Sequence, residues 1–283
     1  MRASCFSLAA ALVLSGCSGS SAPKFGTPEW YWAAAREQFS KGDLAKTQEH
    51  LEKIIASDNP YKKRAATWQV VVLAGMAQGY KELSDAYDAG SSQSKTQVRD
   101  FQRLTRDLRR LSRQYSMGLA QEVDRLKKEM GDAEQITLEY AFPRGGPAEV
   151  GTLDRVRKGV LPMESERANA ESMSLARGVL LQTAAAVGAG QDTAKASELF
   201  KTQPVPVPRA VFLFALADRL VEQAGLFDRR KLNEPDKKKL LLDMATDCLK
   251  PAQSADAALK KKAKALQEKI DKERKSLPKD LAG

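Results

Sequence analysis

The chain has 283 residues, a formal net charge of +10 and only three cysteines. It is long enough for one large domain or two smaller ones. Three cysteines are too few for a disulfide framework, so the fold must depend on its apolar core.

Residues 1–16 have the features of an export signal. A positive charge at Arg2 is followed by an apolar run from Leu8 to Leu14 and by small residues before Cys17. The apolar run is too short to span a bilayer, which needs about 20 apolar residues. We therefore expect this segment to be removed from the mature protein.

The sequence Leu14-Ser15-Gly16-Cys17 closely resembles the lipobox of bacterial lipoproteins. The resemblance implies cleavage before Cys17 and lipid attachment to that residue, and two or more acyl chains give stable anchoring. Ser18 stands where inner-membrane lipoproteins carry a retention aspartate, so the expected location is the outer membrane, facing the periplasm. The alternative is an ordinary secretory cut after Ala22, which Pro23 disfavours.

This location limits the partners of a basic protein. A strong positive charge often indicates nucleic acid, but an exported protein does not meet it. An anionic membrane surface or an acidic partner protein fits better, although the interspersed acidic residues favour an evenly solvated basic exterior. With Cys5 removed and Cys17 carrying lipid, Cys248 is the remaining thiol, and its helical position predicts a buried small hydrophobe.

Residues 17–27 are small and polar and predict a flexible tether, with a reach of about 15 to 18 Å for nine such residues. Thr27-Pro28-Glu29 then predicts a helix start, with an N-cap hydroxyl, a proline at the first helical position and an acid in the first turn.

Residues 28–61 resemble one degenerate tetratricopeptide repeat, a helical hairpin of about 34 residues. The pattern is carried by Tyr31, Ala34, Ala35, Phe39, Gly42, Asp43, Leu44, Leu51, Ile54, Ile55, Asp58 and Pro60. It departs from the family at Thr47, where a small alanine is usual, and at the proline, which comes one place late. His50, the only histidine, is interpreted as structural.

Two long helices are predicted next. The first covers residues 62–89, where Gly75 and Gly79 allow close packing, and residues 90–92 should break it. The second covers residues 94–130 and would be about 55 Å long. Its apolar face lies opposite a row of five arginines, which are Arg99, Arg103, Arg106, Arg110 and Arg113. A solvated outer face is the simpler interpretation of this row, and contact with anionic lipid or an acidic protein is the alternative.

Residues 131–162 predict an irregular connector between an N-terminal helical region, 28–130, and a C-terminal one, 163–283. A weak strand pattern covers 136–140, a loop covers 143–147, and 152–158 are compatible with a short helix. Connections this long are uncommon in compact helical domains and are often functional or mobile.

The C-terminal region predicts helices near 164–187, 193–200, 211–226 and 233–249, with an extended linker at 203–208 because of its three prolines. Met173, Ala176, Leu180, Thr183 and Val187 form the predicted seam of the first. The last helix, 255–277, should cap the stack with a narrow seam of Leu259, Ala263, Leu266, Ile270 and Leu277. The lysine triplets 237–239 and 260–262 are interpreted as solvated faces.

A search for catalytic motifs finds no phosphate loop, dinucleotide fingerprint, paired-cysteine spacing or nucleophile elbow. Ser92 to Lys95 matches S-x-x-K, but the accompanying K-T-G is missing. We therefore predict no catalytic residue, cofactor or metal ligand.

The combined prediction is an all-α protein of stacked antiparallel hairpins, a tetratricopeptide-like right-handed solenoid with one long helix and an irregular central loop. Similar lipoproteins help assemble outer-membrane proteins or partner substrate-binding transporters. The resemblance implies a lipid-anchored scaffold or adaptor for a protein or peptide in the cell envelope. The alternatives are a periplasmic small-ligand carrier or transporter accessory with its site beside the connector, and an envelope enzyme acting on cell-wall material.

Overall fold

The computed structural model describes residues 23–143, 151–278 and 281. The predicted signal segment, Cys17, the start of the tether and most of the 143–147 loop lie outside these residues. The described residues form ten α-helices and two short strands, so the all-α class is confirmed. In order they are α1 Pro28–Lys41, α2 Leu44–Ile55, α3 Lys62–Gln93, α4 Val98–Met130, β1 Gln135–Leu138, α5 Gly151–Arg157, α6 Glu164–Ala186, α7 Thr193–Leu199, β2 Val205–Pro208, α8 Arg209–Ala224, α9 Pro235–Gln253 and α10 Ala257–Arg274.

Helices α1 and α2 form the predicted hairpin. The Thr27 hydroxyl accepts a hydrogen bond from the Trp30 backbone N–H at 3.3 Å, which caps α1. Gly42 ends α1 in the left-handed region with a φ of 80°, and Asp43 caps α2 by accepting from the Lys46 N–H at 3.0 Å. Local sequence therefore fixes both ends of this turn.

Helix α3 is the centre of the molecule. Every residue from Ala65 to Ala77 is buried, because α4 packs along one side of α3 and α6 along the other. Glycines make the contact with α6, as the sequence predicted for Gly75 and Gly79. A Cβ atom added to Gly178 of α6 would lie 2.1 Å from the Gly75 carbonyl oxygen, so the two helix backbones touch.

The predicted break at residues 90–92 is wrong, because α3 continues to Gln93. Gly90 is buried, and a Cβ there would meet the Val156 carbonyl oxygen at 2.2 Å and the Phe101 ring at 2.5 Å. This glycine makes room for α5 and α4 and does not end the helix.

The proline-rich segment is extended as predicted, but its interpretation as a linker is wrong. Val205–Pro208 pairs antiparallel with Gln135–Leu138 of the connector, with Ile136 opposite Val207. Val205 and Val207 are buried, the prolines between and after them are exposed, and the Arg209 N–H donates to the Glu134 carbonyl at 2.8 Å. The small sheet thus fastens the connector to the C-terminal region.

The C-terminal helices complete the core. Helix α8 packs against α9, and α10 packs on both. All residues of the predicted seam are buried, although α10 ends at Arg274, before Leu277. The predicted seam of α6 is wrong at Met173, which is 41% exposed, because α6 turns Ser174, Gly178 and Gln182 toward its neighbours instead. One core cluster of the described residues extends from Trp32 to Leu277, and another joins α3 to α4, α5 and α6.

Cys248 is fully buried, as predicted, and burial raises the pKa of its thiol to about 12. None of the helices in the described ranges combines the length and the apolar character that crossing a bilayer requires.

Candidate functional site

The five predicted arginines of α4 do not share one environment. Arg99, Arg103, Arg106 and Arg110 are exposed on the outer face of the helix. Arg113 is only partly exposed, and its Nε donates to both carboxylate oxygens of Glu234, at 2.8 and 2.9 Å. The exposed row therefore has four arginines, and the fifth joins α4 to the start of α9.

A charged cleft of about 640 Å³ lies between α3, α6, α8 and α10. Arg157 at the end of α5 and Lys231 in the loop before α9 close its sides. Acidic and basic side chains are balanced in its lining, which includes Lys81, Glu82, Asp85, Arg157, Arg177, Glu222, Asp228, Lys231, Lys269 and Glu273. We call this feature the charged cleft.

Asp85 is the central acid of one wall. Its two oxygens accept hydrogen bonds from Lys81 at 2.5 Å and from Lys231 at 2.9 Å. Burial acts to raise the pKa of Asp85, but the hydrogen bonds from the two lysines outweigh it and hold the pKa below its usual value. The carboxylate is therefore ionised and fully engaged at neutral pH.

Glu82, three residues before Asp85 on α3, is a second acid of the cleft wall that pairs with basic side chains. It accepts a hydrogen bond from Arg177 of α6 at 2.5 Å, and Arg157 of α5 lies 3.9 Å away. The cleft wall is thus built of ion pairs between helices that are distant in the sequence.

Lys269 differs from the other cations of the cleft. It is exposed on α10, and no acidic side chain in the described ranges forms an ion pair with it. Its ammonium group is free to contact a bound molecule.

Lys238 binds two acids of the cleft lining, Asp228 and Glu273, and corrects a prediction. It belongs to a lysine triplet that was expected to be solvated, but its side chain is only 3% exposed. Its Nζ donates to Asp228 at 2.6 Å, Glu273 at 2.6 Å and Ser276 at 2.7 Å. Burial acts to lower the pKa of Lys238, but the hydrogen bonds to the two carboxylates raise it overall.

Replacing Lys238 with alanine should lower the free energy of unfolding by about 2 kcal/mol, because two carboxylates then face each other without a cation. This loss is smaller than the loss expected for breaking a fully buried ion pair, because Asp228 and Glu273 keep some contact with water. Urea denaturation measures it. Lys237→Ala is the matched control, since Lys237 makes no ion pair in the described structure, and it should change stability by less than about 0.5 kcal/mol. Equal losses in both variants would contradict the role given to Lys238.

A second, more enclosed cavity of about 330 Å³ adjoins the charged cleft, and Gln78 and Glu222 line both. We call it the side pocket. Its walls come from α6, α8 and the start of α10, and they combine charged side chains with apolar ones, which include Leu181, Val211, Phe214 and Leu259. Asp218, Arg219, Glu222, Asp256 and Lys262 supply its charges.

Arg219 is buried at the base of the side pocket. Its Nε donates to Gln182 at 3.0 Å, and its Nη1 pairs with Glu222. Burial lowers the pKa of Arg219, and Glu222 works against that effect. Gln182 is itself fully buried, and its Nε2 atom has no hydrogen-bond partner within the described residues.

Sequence reasoning did not find either cavity. Lys231 and Asp85 are 146 residues apart, and Arg219 and Gln182 are 37 apart, so no local spacing brings them together. The connector was expected to border a ligand site, and one residue near its end, Arg157, does line the charged cleft.

Searches of known protein families, curated proteins and solved structures found no match to this chain. Within the described ranges, no group of three or more histidine, cysteine, aspartate or glutamate residues is placed to hold a metal ion.

Proposed function

We propose that the protein is a lipid-anchored helical scaffold of the cell envelope that holds a protein or peptide partner in its charged cleft. The observation that carries the proposal is the cleft itself, an open depression lined by charges of both signs. Small-molecule sites are mainly apolar, whereas surfaces that bind proteins use complementary charges at their rims to select and orient a partner.

The ion pairs of the cleft support this proposal. Glu82, Asp85 and Lys238 each have a partner of opposite charge, so the walls stay ordered without a ligand. A preorganised surface loses less entropy on binding than a mobile one.

We propose attachment through Cys17 to the periplasmic face of the outer membrane, and the start of α1 supports a position close to a membrane surface. Phe25 is 77% exposed and packs on Trp30, with ring centroids 4.6 Å apart. The Trp30 ring also contacts the rings of Tyr31 and His50, with ring centroids 5.2 and 5.7 Å apart. Aromatic side chains of this kind are favoured at the interface between lipid and water, and this cluster begins a short distance along the chain from the proposed anchor.

The α1–α2 hairpin is proposed as a single tetratricopeptide-like unit at the start of a helical stack. Its turn at Gly42 and its buried Leu51, Ile54 and Ile55 fit such a unit. We extend this proposal to the solenoid arrangement of the later helices.

Lys269→Glu tests the proposal at the cleft. The reversal places an anion where an unpaired lysine faces the bound partner, and we expect recovery of that partner from crosslinked envelopes to fall at least about fivefold. The measurement is quantitative affinity capture with a tagged protein expressed at its normal level.

The matched control is Lys272→Glu, which makes the same change in charge on the same helix outside the cleft. It should leave recovery unchanged. If both variants recover the same partners as wild type, the charged cleft is not the binding surface.

The side pocket favours a second candidate function, a small-ligand carrier. Its size and its apolar side chains beside polar groups are compatible with a small-molecule site. Native mass spectrometry of protein extracted gently from its source separates the two functions: a retained small molecule supports the carrier, and a co-purifying protein supports the scaffold.

A further inference from the structure

Asp218 is an acid without a partner at the wall of the side pocket. It lies on α8 and is partly buried, yet no side chain or backbone group in the described ranges forms a side-chain hydrogen bond or ion pair with it. A carboxylate in such a place has lost some of its hydration and received no donor in return.

The neighbouring charges do not supply that donor. Arg219 is held by Gln182 and Glu222, and Lys269 lines the charged cleft. Burial and the negative charge of Glu222 raise the pKa of Asp218, whereas Arg219 and Lys269 only partly oppose the shift. Asp256, which is the N-cap of α10, and Lys262 within α10 also line the pocket.

The walls around Asp218 are suited to an apolar group. Leu181 and Ala185 of α6 face Val211, Phe214 and Ala215 of α8, and Leu259 closes the third side. A ligand that enters this space can bury hydrocarbon while it presents a polar head to the carboxylate.

We infer that the side pocket binds a protonated amine carried on an apolar body, with the ammonium group donating hydrogen bonds to Asp218. A charge-assisted hydrogen bond of this kind gives the acid the donor that it lacks. The amine has two potential sources, a small free amine or a lysine side chain of a peptide lying in the charged cleft. The second source rests on the proposed scaffold function, because the pocket adjoins the cleft at Gln78 and Glu222.

The test uses the full-length mature protein in detergent and three probes of similar shape. They are 2-phenylethylamine, which is protonated at neutral pH, the neutral 2-phenylethanol and the anionic 3-phenylpropionate. Saturation-transfer NMR with a titration should show saturable binding of the amine, with at least about tenfold weaker binding of the alcohol and the acid. Equal binding of all three probes, or no saturable binding of the amine, overturns the inference.

Two aspartate variants locate the contact. Asp218→Asn should weaken amine binding at least about tenfold, because the amide has no charge to offer the ammonium group. Asp43→Asn is the matched control outside the pocket, since asparagine can still accept the Lys46 N–H as the N-cap of α2, and it should bind as wild type does. Unchanged binding in Asp218→Asn places the amine elsewhere and overturns the assignment.

A competition experiment identifies the source. An acetylated and amidated pentapeptide with leucines on either side of one lysine displaces 2-phenylethylamine if the pocket accepts a peptide lysine, and it fails to do so if the ligand is a small amine. The scaffold proposal is judged separately by Lys269→Glu. A loss of partner in that variant without any amine binding leaves the scaffold standing and removes only the amine site.

Discussion

Gly178→Ala is expected to lower the free energy of unfolding by about 3 kcal/mol or more, a large fraction of the stability of an ordinary domain. The added methyl group would lie 2.1 Å from the Gly75 carbonyl oxygen, a distance that no rotamer change relieves. Helices α3 and α6 must move apart, which opens an extensively buried contact at the centre of the molecule. Urea denaturation followed by tryptophan fluorescence measures the loss, because Trp68 is fully buried in the same core.

Gly118→Ala provides a control in which the free energy of unfolding should rise instead of fall. Gly118 lies inside α4, and a Cβ there would meet only the Leu73 side chain at an ordinary distance of 3.7 Å. Alanine should therefore stabilise α4 by about 0.5 to 1 kcal/mol through its better helix propensity. A Gly178→Ala variant within about 1 kcal/mol of wild type would show that the two helices are not in backbone contact.

Loss of the proposed anchor should move the protein from the membrane fraction to the soluble fraction almost completely. The variant needs two changes, because cleavage of a lipoprotein signal depends on its cysteine. Residues 1–16 are replaced by an ordinary cleavable export signal, and Cys17 becomes alanine. Multiple acyl chains hold a protein stably at a bilayer, and their removal leaves only weak surface contacts. Fractionation of envelopes with a high-salt wash measures the distribution.

Cys248→Ala is the control for this experiment. Cys248 is the buried thiol of α9 and has no expected contact with lipid, so the variant should stay in the membrane fraction. Release of the wild-type protein by salt alone would refute lipid anchoring. The intact mass of the mature chain gives a second check, since it should correspond to a chain that begins at Cys17 and carries acyl groups.

Features that depend on neighbours in the sequence were predicted well. The caps of the first hairpin and the seam of α10 follow from residues a few positions apart, and helix periodicity places them on one face. The burial of Cys248 follows from the same reasoning. These elements are encoded locally, so a single sequence is sufficient to find them.

The errors came from contacts between distant segments. Gly90 looks like a helix breaker until α5 is seen to pack on it, and Lys238 looks solvated until Asp228 and Glu273 are seen around it. Both cavities also depend on such contacts, because their residues come from helices far apart in the chain. Which helix packs against which is a tertiary property that periodicity does not specify.

The alternating prolines of β2 affect how the protein behaves beside other chains. Successive residues of a strand direct their backbone polar groups to opposite edges, and the Arg209 N–H points to the β1 side. Pro206 and Pro208, which lie opposite Thr137 and Gln135, therefore direct their backbone to the other edge, where they offer carbonyl groups but no N–H. An edge with few donors is a poor template for a further strand, so the β2 edge of this small sheet is protected against pairing with a strand of another chain, even where copies of the protein are crowded together.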